Sequence, residues 1–173
     1  MDTGALKNKI IELTNKKEPF LLIVKGYHNS GKTHLALSLV DAVDYIVYHS
    51  GTHPNYRNEE MIFLSNMLRL FKEDCLIVLD ECYSDVFIEN TCFQNRKQLV
   101  VLTNNKYLTV NTNDYINVFE YSIENHIDIS AASSIEKDPT TLKTRIIVKN
   151  KASKFEIRID YASNKCFREL VVV

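Results

Sequence analysis

The hydrophobic residues of this chain recur with two spacings, one typical of strands and one typical of helices. Strand-like apolar runs occur at residues 20–24, 45–48, 75–79, 98–103 and 115–121. Apolar residues at helical spacing occur in residues 2–17, 33–43 and about 58–71. Because strands that alternate with helices form parallel sheets covered on both faces, the pattern predicts an α/β fold with a mostly parallel sheet.

The C-terminal part of the chain has a different pattern. After a linker at 123–140, three strand-like runs follow at residues 142–149, 154–161 and 166–173. In the middle run apolar and polar residues alternate, which predicts a half-buried antiparallel strand. Its polar side carries Lys154, Glu156, Arg158 and Asp160. The 173 residues predict one domain, 1–173, with a core over about 18–122 and a β-rich extension over about 141–173.

The most specific chemical signal is the pattern G-x-x-x-x-G-K-T at residues 26–33, directly after the first apolar run. Glycines let the backbone curl so that N–H groups point at phosphate oxygens, and the following helix adds the positive end of its dipole. The residues expected to bind nucleotide are Gly26, Asn29, Ser30, Gly31, Lys32 and Thr33. Lys32 would reach the β- and γ-phosphates as a catalytic residue, and Thr33 would bind Mg²⁺. His28 occupies a variable position, and we expect it to play no chemical part.

Two carboxylates, Asp80 and Glu81, follow the apolar run at 75–79. Since ligands of open α/β sheets bind at the carboxyl ends of strands, we expect Asp80 to support Mg²⁺, directly or through its water ligands. Glu81 would orient and deprotonate the attacking water as a catalytic residue. The alternative interpretation is a surface turn after a strand.

A third apolar run, 98–103, ends in the polar residues Thr103 and Asn104. We expect this strand to lie between the strands that precede Lys32 and Asp80. An amide at its tip can hydrogen-bond the attacking water or the γ-phosphate, so Asn104 or Thr103 is the candidate catalytic sensor. The alternative is a polar strand end without a role.

These motifs together resemble the P-loop NTPases that carry a catalytic glutamate, over about residues 18–122. The resemblance implies a three-layer sandwich whose sheet has the core order 5-1-4-3-2, here with antiparallel strands added at the C-terminus. It also implies ATP with Mg²⁺ as cofactor. GTP is disfavoured because the guanine-reading N-K-x-D pattern is missing at 105–108, and D-x-x-G is missing after Asp80.

Two families within this class are similar to the chain. The FtsK–HerA-like packaging ATPases of large DNA viruses and phages often place an arginine before the sensor strand, as Arg96 is placed here. The superfamily 3 helicases of small viruses end that strand in T/S-N, as Thr103 and Asn104 do. Both families form rings in which a neighbour's arginine completes the site, and candidates are Arg57, Arg96 and Arg145. The resemblance implies a viral-type nucleic-acid motor, a DNA-packaging translocase or a helicase-like ATPase, and a homo-oligomer. The alternative is a nucleotide-dependent adaptor or switch with slow hydrolysis that acts through a protein partner.

Charge is distributed unevenly along the chain. Residues 141–173 carry eight Lys/Arg and three Asp/Glu, a net +5, so the rest carries −6 of the total −1. The basic part could bind DNA or RNA, or it could simply protect an antiparallel edge strand from aggregation. The loop 52–57 is a second candidate surface for nucleic acid, because an aromatic residue lies beside a cation there. Without an apolar signal segment, a run of about 20 apolar residues or a C-x-x-C pair, we expect an intracellular protein without a membrane span or zinc site.

Overall fold

The computed structural model describes residues 2–51, 75–82, 98–109, 117–123, 143–160 and 167–172, together with Glu60, Ile62 and Asn66. The helices are α1 (Thr3–Asn15) and α2 (Lys32–Ala42). The strands are β1 (Phe20–Gly26), β2 (Ile46–Ser50), β3 (Leu76–Asp80), β4 (Gln98–Thr103), β5 (Val118–Ile123), β6 (Lys143–Lys149), β7 (Lys154–Asp160) and β8 (Phe167–Val172). The helix predicted over about 58–71 lies outside the described residues except at the three single positions, which have helical backbone.

The eight strands in the described ranges belong to one sheet, in the order β5-β1-β4-β3-β2-β6-β7-β8. The first five strands in that order pair in parallel, and β6, β7 and β8 continue the sheet with antiparallel pairing. The predicted α/β class with a mostly parallel sheet is therefore confirmed. The strand β4 pairs with β1 on one side and β3 on the other, so its tip lies between theirs.

Both faces of the strands β1, β2, β3 and β4 are buried, as their unbroken apolar runs predicted, whereas β5 at the edge of the sheet is partly exposed. On one face, alternate residues of the central strands pack against α1 and α2 in the larger core cluster. On the other face, the intervening residues form a second cluster that includes Leu21, Ile77 and Val101, each 0% exposed. Each such side chain stabilises the fold by about 1.5–3 kcal/mol. Strands buried on both faces hold their carboxyl ends rigidly, which positions the site described below.

Helix α1 packs on the sheet through Leu6, Ile10 and Leu13, which recur at helical spacing and are buried. It begins after Asp2, whose side chain accepts a hydrogen bond from Ala5 N (2.7 Å). The prediction that it extends over 2–17 was slightly too long, since the helix ends at Asn15. Lys17 has a left-handed backbone (φ 56°), which an α-helix cannot contain.

The prediction for β7 was wrong at one position. Glu156 was expected on the polar side of a half-buried strand, but it is only 5% exposed. Its carboxylate accepts hydrogen bonds from Arg145 on β6 and from Arg158 (3.2 Å) on β7 itself. The two arginines cover the carboxylate, because β6 and β7 place Arg145 directly opposite Arg158.

Neither α1 nor α2, the helices of the described part of the chain, has the length and apolar character needed to cross a membrane.

Candidate functional site

The segment between β1 and α2 turns sharply through two residues with left-handed backbone. Asn29 has φ 60°, and Gly31, the N-cap of α2, has φ 91°. Glycine adopts this conformation without steric cost, and asparagine is one of the few other residues that tolerate it. Ser30 N donates to Tyr27 O (3.2 Å) and closes the turn. The first turn of α2, whose N–H groups lack helical partners, therefore begins immediately at the carboxyl end of the sheet.

The Lys32 side chain is 9% exposed and folds back over this loop. Its ammonium group donates three hydrogen bonds there, to Gly26 O (2.7 Å), Tyr27 O (2.6 Å) and Ser30 Oγ (3.1 Å). The loop packs so closely that a Cβ atom on Gly26 would lie 2.6 Å from Ser30 Oγ, which explains why glycine stands there. The three acceptors are neutral oxygens, and hydrogen bonds from an ammonium group to an anion such as phosphate are stronger. A bound phosphate can therefore replace them.

Asp80 ends β3 and is 2% exposed. Its Oδ2 atom accepts hydrogen bonds from Thr33 Oγ1 (2.8 Å) and Tyr48 Oη (3.0 Å), and Oδ1 accepts one from Glu81 N (2.9 Å). Burial raises the pKa of Asp80, and the hydroxyls of Thr33 and Tyr48 oppose that shift by stabilising the carboxylate. Burial, followed by the charge of Asp80, raises the pKa of Tyr48, so the phenol remains a hydrogen-bond donor.

The contact between Thr33 and Asp80 brings together a hydroxyl and a carboxylate, which are the oxygen ligands that Mg²⁺ prefers. No group of three or more His, Cys, Asp and Glu side chains that could hold a metal ion occurs among the described residues. Mg²⁺ is usually bound by one or two protein oxygens together with substrate phosphates and water. The donor set here fits that mode of binding.

Glu81, the first residue after β3, has a left-handed backbone with φ 56°. A residue with a Cβ atom pays about 1–2 kcal/mol for this conformation. Such strain is found most often at functional sites, where the surrounding structure maintains it. The strained residue is thus the second carboxylate of the predicted pair, and after it Cys82 N still donates to Leu102 O on β4 (3.1 Å).

The two candidate sensor residues at the tip of β4 have different surroundings. Thr103 is fully buried, and its Oγ1 accepts a hydrogen bond from Asn105 N (3.0 Å), so it stabilises the turn. Asn104 lies at the surface of the cleft, where its Nδ2 atom contacts Nε2 of His28 at 2.5 Å. Of the two residues, Asn104 is therefore the one that a ligand in the cleft can reach.

These parts surround one cleft of about 340 Å³. It is lined by His28, Asn29, Gly31, Lys32, Thr33, His34, Asp80, Glu81 and Asn104. Of the predicted site residues, Gly26, Ser30 and the alternative sensor Thr103 do not belong to this lining, and Gly26 and Ser30 instead accept hydrogen bonds from the Lys32 side chain. His28 and His34 were not predicted as lining residues, although both lie within or next to the motif. Tyr48 was also missed, because only the pairing of β2 with β3 brings it to Asp80.

Of the three candidate arginine fingers, Arg57 and Arg96 lie outside the described residues. Arg145 lies on β6 opposite Ser50, and Ser50 is opposite Asp80, so two strand spacings separate Arg145 from Asp80. It does not line the cleft and is bonded to Glu156 of its own chain. The candidate nucleic-acid loop 52–57 also lies outside the described residues.

Comparison with protein-family models and with curated proteins returned no match for this chain.

Proposed function

We propose that this protein binds ATP with Mg²⁺ and hydrolyses it. The observation that carries the proposal is the hydrogen bond from Thr33 to Asp80 (2.8 Å), which joins the start of α2 to the end of β3. This bond joins two oxygen groups that would bind Mg²⁺, and both line the cleft together with Lys32 and Glu81. Hydrolysis of a nucleoside triphosphate requires a phosphate-binding loop close to carboxylates from another part of the chain.

The contacts support a binding role for each of four residues. Lys32 would exchange its bonds to the loop for bonds to phosphate oxygens, while the N–H groups at the start of α2 add a positive end. Thr33 and Asp80 would hold Mg²⁺, which when bound neutralises the charge on the phosphates. Burial raises the pKa of Asp80, and the hydroxyl of Tyr48 opposes that shift, so it favours the ionised form that binds a cation.

The hydrolytic step uses a water molecule in line with the bond between the γ-phosphorus and its bridging oxygen. Glu81 accepts a proton from that water as the new oxygen–phosphorus bond forms, and the bridging oxygen leaves with ADP. The Asn104 amide lies in the same cleft and can orient the water or the γ-phosphate. The phosphate-binding loop, the amide of Asn104 and the two carboxylates thus lie at the carboxyl ends of the neighbouring strands β1, β4 and β3.

We further infer that the fold is that of the P-loop NTPases, with a three-layer sandwich and the core order 5-1-4-3-2. The order β5-β1-β4-β3-β2 among the described strands supports this inference. ATP is preferred over GTP because the chain lacks the guanine-reading pattern at 105–108.

The test is the substitution Glu81→Gln, which keeps the shape and polarity of the side chain but removes the base. We expect ATP to bind with unchanged affinity in calorimetry, and turnover to fall by about 10²–10⁴-fold. The control is Glu120→Gln on β5, a half-exposed surface residue that pairs with Lys25 (2.9 Å) and should leave turnover unchanged. Absence of nucleotide binding by the wild-type chain would end the proposal, and unchanged turnover of Glu81→Gln would remove Glu81 from its role.

The process that uses the hydrolysis is proposed as movement on DNA or RNA by a homo-oligomeric ring, of the packaging or helicase-like kind. The alternative is an adaptor that hydrolyses slowly and acts through a protein partner. One observation favours that alternative: Arg145 and Arg158 bond Glu156, and Lys149 bonds α2, so these cations of the extension face acceptors within the chain. Turnover measured with and without single-stranded DNA, together with the mass of the ATP-bound protein, separates the two. Stimulated turnover by a ring supports the motor, and an unstimulated monomer supports the adaptor.

A further inference from the structure

The loop before α2 and the tip of β4 meet through their side chains. Nε2 of His28 lies 2.5 Å from Nδ2 of Asn104, and both residues line the cleft beside Lys32 and Glu81. The two residues are 76 positions apart in the sequence, so this contact exists only because β1 and β4 are neighbouring parallel strands. It is a side-chain link between the element that would bind phosphate and the element that would sense it.

The backbone that follows Asn104 is fixed by hydrogen bonds, whereas the position of the Asn104 side chain depends on His28. Asn105 N bonds Thr103 Oγ1 (3.0 Å), and Leu108 N bonds Asn105 O (3.1 Å), so the turn is held by its own hydrogen bonds. Within the described residues, the one side-chain hydrogen bond of Asn104 is its contact with His28. A partly exposed asparagine without such a contact samples several rotamers, and fixing one costs on the order of 1 kcal/mol.

We propose that His28 is a positioning residue for ATP hydrolysis, which holds the Asn104 amide at the place where the reacting water or γ-phosphate is bound. This inference rests on the proposed ATPase function and replaces the expectation that His28 plays no chemical part. Because the ring acts through Asn104, its loss should slow the chemical step and leave ATP binding, which depends on Lys32 and Thr33, almost unchanged.

The kinetic test compares His28→Ala, Asn104→Ala and the double variant. We expect each single change to lower kcat at least tenfold, while KM for ATP stays within about twofold, because a misplaced catalytic group costs rate rather than affinity. The double variant should be no slower than the slower single variant, because both changes remove the same arrangement. His28→Gln should recover most of the rate, since its amide can also bond Asn104.

The control is Tyr107→Phe, on the same turn as Asn104, where the ring is 77% exposed. It should leave kcat, KM and the thermal midpoint unchanged. A readout independent of turnover is the side-chain amide resonance of Asn104, which should shift in His28→Ala and stay in place in Tyr107→Phe.

The outcomes separate this inference from the proposed function. If the wild-type chain hydrolyses ATP but His28→Ala retains its kcat, or if the two single effects multiply in the double variant, His28 has no positioning role. A change in KM alone, with kcat intact, would likewise overturn it. If the wild-type chain neither binds nor hydrolyses ATP, the proposed function fails and this inference falls with it.

Discussion

Removal of the Tyr48 hydroxyl tests whether the buried carboxylate of Asp80 is stabilised as the structure indicates. Tyr48 is 1% exposed, and its hydroxyl donates to Asp80 Oδ2 at 3.0 Å. The substitution Tyr48→Phe deletes one oxygen and keeps the ring, which packs in the larger core cluster. Because Asp80 is itself 2% exposed, we do not expect water to replace the lost donor.

A hydrogen bond to a charged group contributes about 1.5–3 kcal/mol to stability. Asp80 keeps its bonds from Thr33 and from Glu81 N, so we expect a loss of about 2 kcal/mol at pH 8. In a chain of this length that loss lowers the thermal midpoint by roughly 4–8 °C.

The effect should depend on pH with a definite sign. Since burial raises the pKa of Asp80 above its ordinary value, the folded state binds the proton more tightly than the unfolded state. The contribution of Asp80 to stability is therefore present at low pH and is lost as pH rises through its folded pKa. The Tyr48 hydroxyl lowers that pKa, so Tyr48→Phe raises it further and enlarges the loss. At pH 4.5 a larger fraction of the carboxyl is protonated than at pH 8, so the difference between the two proteins should be smaller, because a neutral hydrogen bond contributes only about 0.5–1.5 kcal/mol.

The assay is urea unfolding of both proteins without nucleotide at pH 4.5 and pH 8. Tyr45→Phe is a matched control, because Tyr45 precedes β2 at the end remote from Asp80 and packs against the second core cluster. A loss below about 0.5 kcal/mol at pH 8, a loss equal to that of Tyr45→Phe, or a loss independent of pH would show that the Tyr48 hydroxyl does not stabilise the charged carboxylate of Asp80.

Two further substitutions test the loop and its helix. Gly26→Ala forces a Cβ atom to within 2.6 Å of Ser30 Oγ, so we expect a loss of about 1–3 kcal/mol in thermal unfolding and weaker ATP binding. The double variant Gly26→Ala/Ser30→Ala removes that oxygen and should recover part of the stability; no recovery would contradict the clash. Lys149→Met removes an ammonium that donates to Val40 O (2.6 Å), and should cost about 0.5–1 kcal/mol, whereas exposed Lys151→Met should cost less than about 0.5 kcal/mol. Equal losses from the two lysine substitutions would contradict a stabilising bond from Lys149 to the end of α2.

The fold class could be predicted from the sequence because its signals are local. The apolar runs that became β1, β3 and β4 are bounded by polar residues, and the observed strands match them within one or two residues. The motif at 26–33 and the pair at 80–81 likewise depend on neighbours in the sequence. The strand order came from a resemblance, since spacing along the chain does not determine which strands pair.

The details that were missed depend on contacts between distant segments. Glu156 reads as a solvent-facing residue in its own strand, and only the register with β6 brings Arg145 over it. In the same way, the choice between Thr103 and Asn104 depends on the direction of each side chain at the end of β4. The alternation of side chains along a strand does not determine that direction where the strand ends. Local pattern therefore indicated most of the residues that line the cleft, and the pairing of strands determined their partners.

The bond from Lys149 to the last turn of α2 has a mechanical consequence. Its ammonium group donates to Val40 O (2.6 Å) and Asp41 O (3.2 Å), while the opposite end of the same helix carries Lys32 and Thr33. A helix of 11 residues is a stiff rod of about 16 Å. An axial displacement of α2 therefore moves these two carbonyl groups relative to Lys149 on β6. In this way a movement at the Lys32 end of the helix can be transmitted to the antiparallel strands.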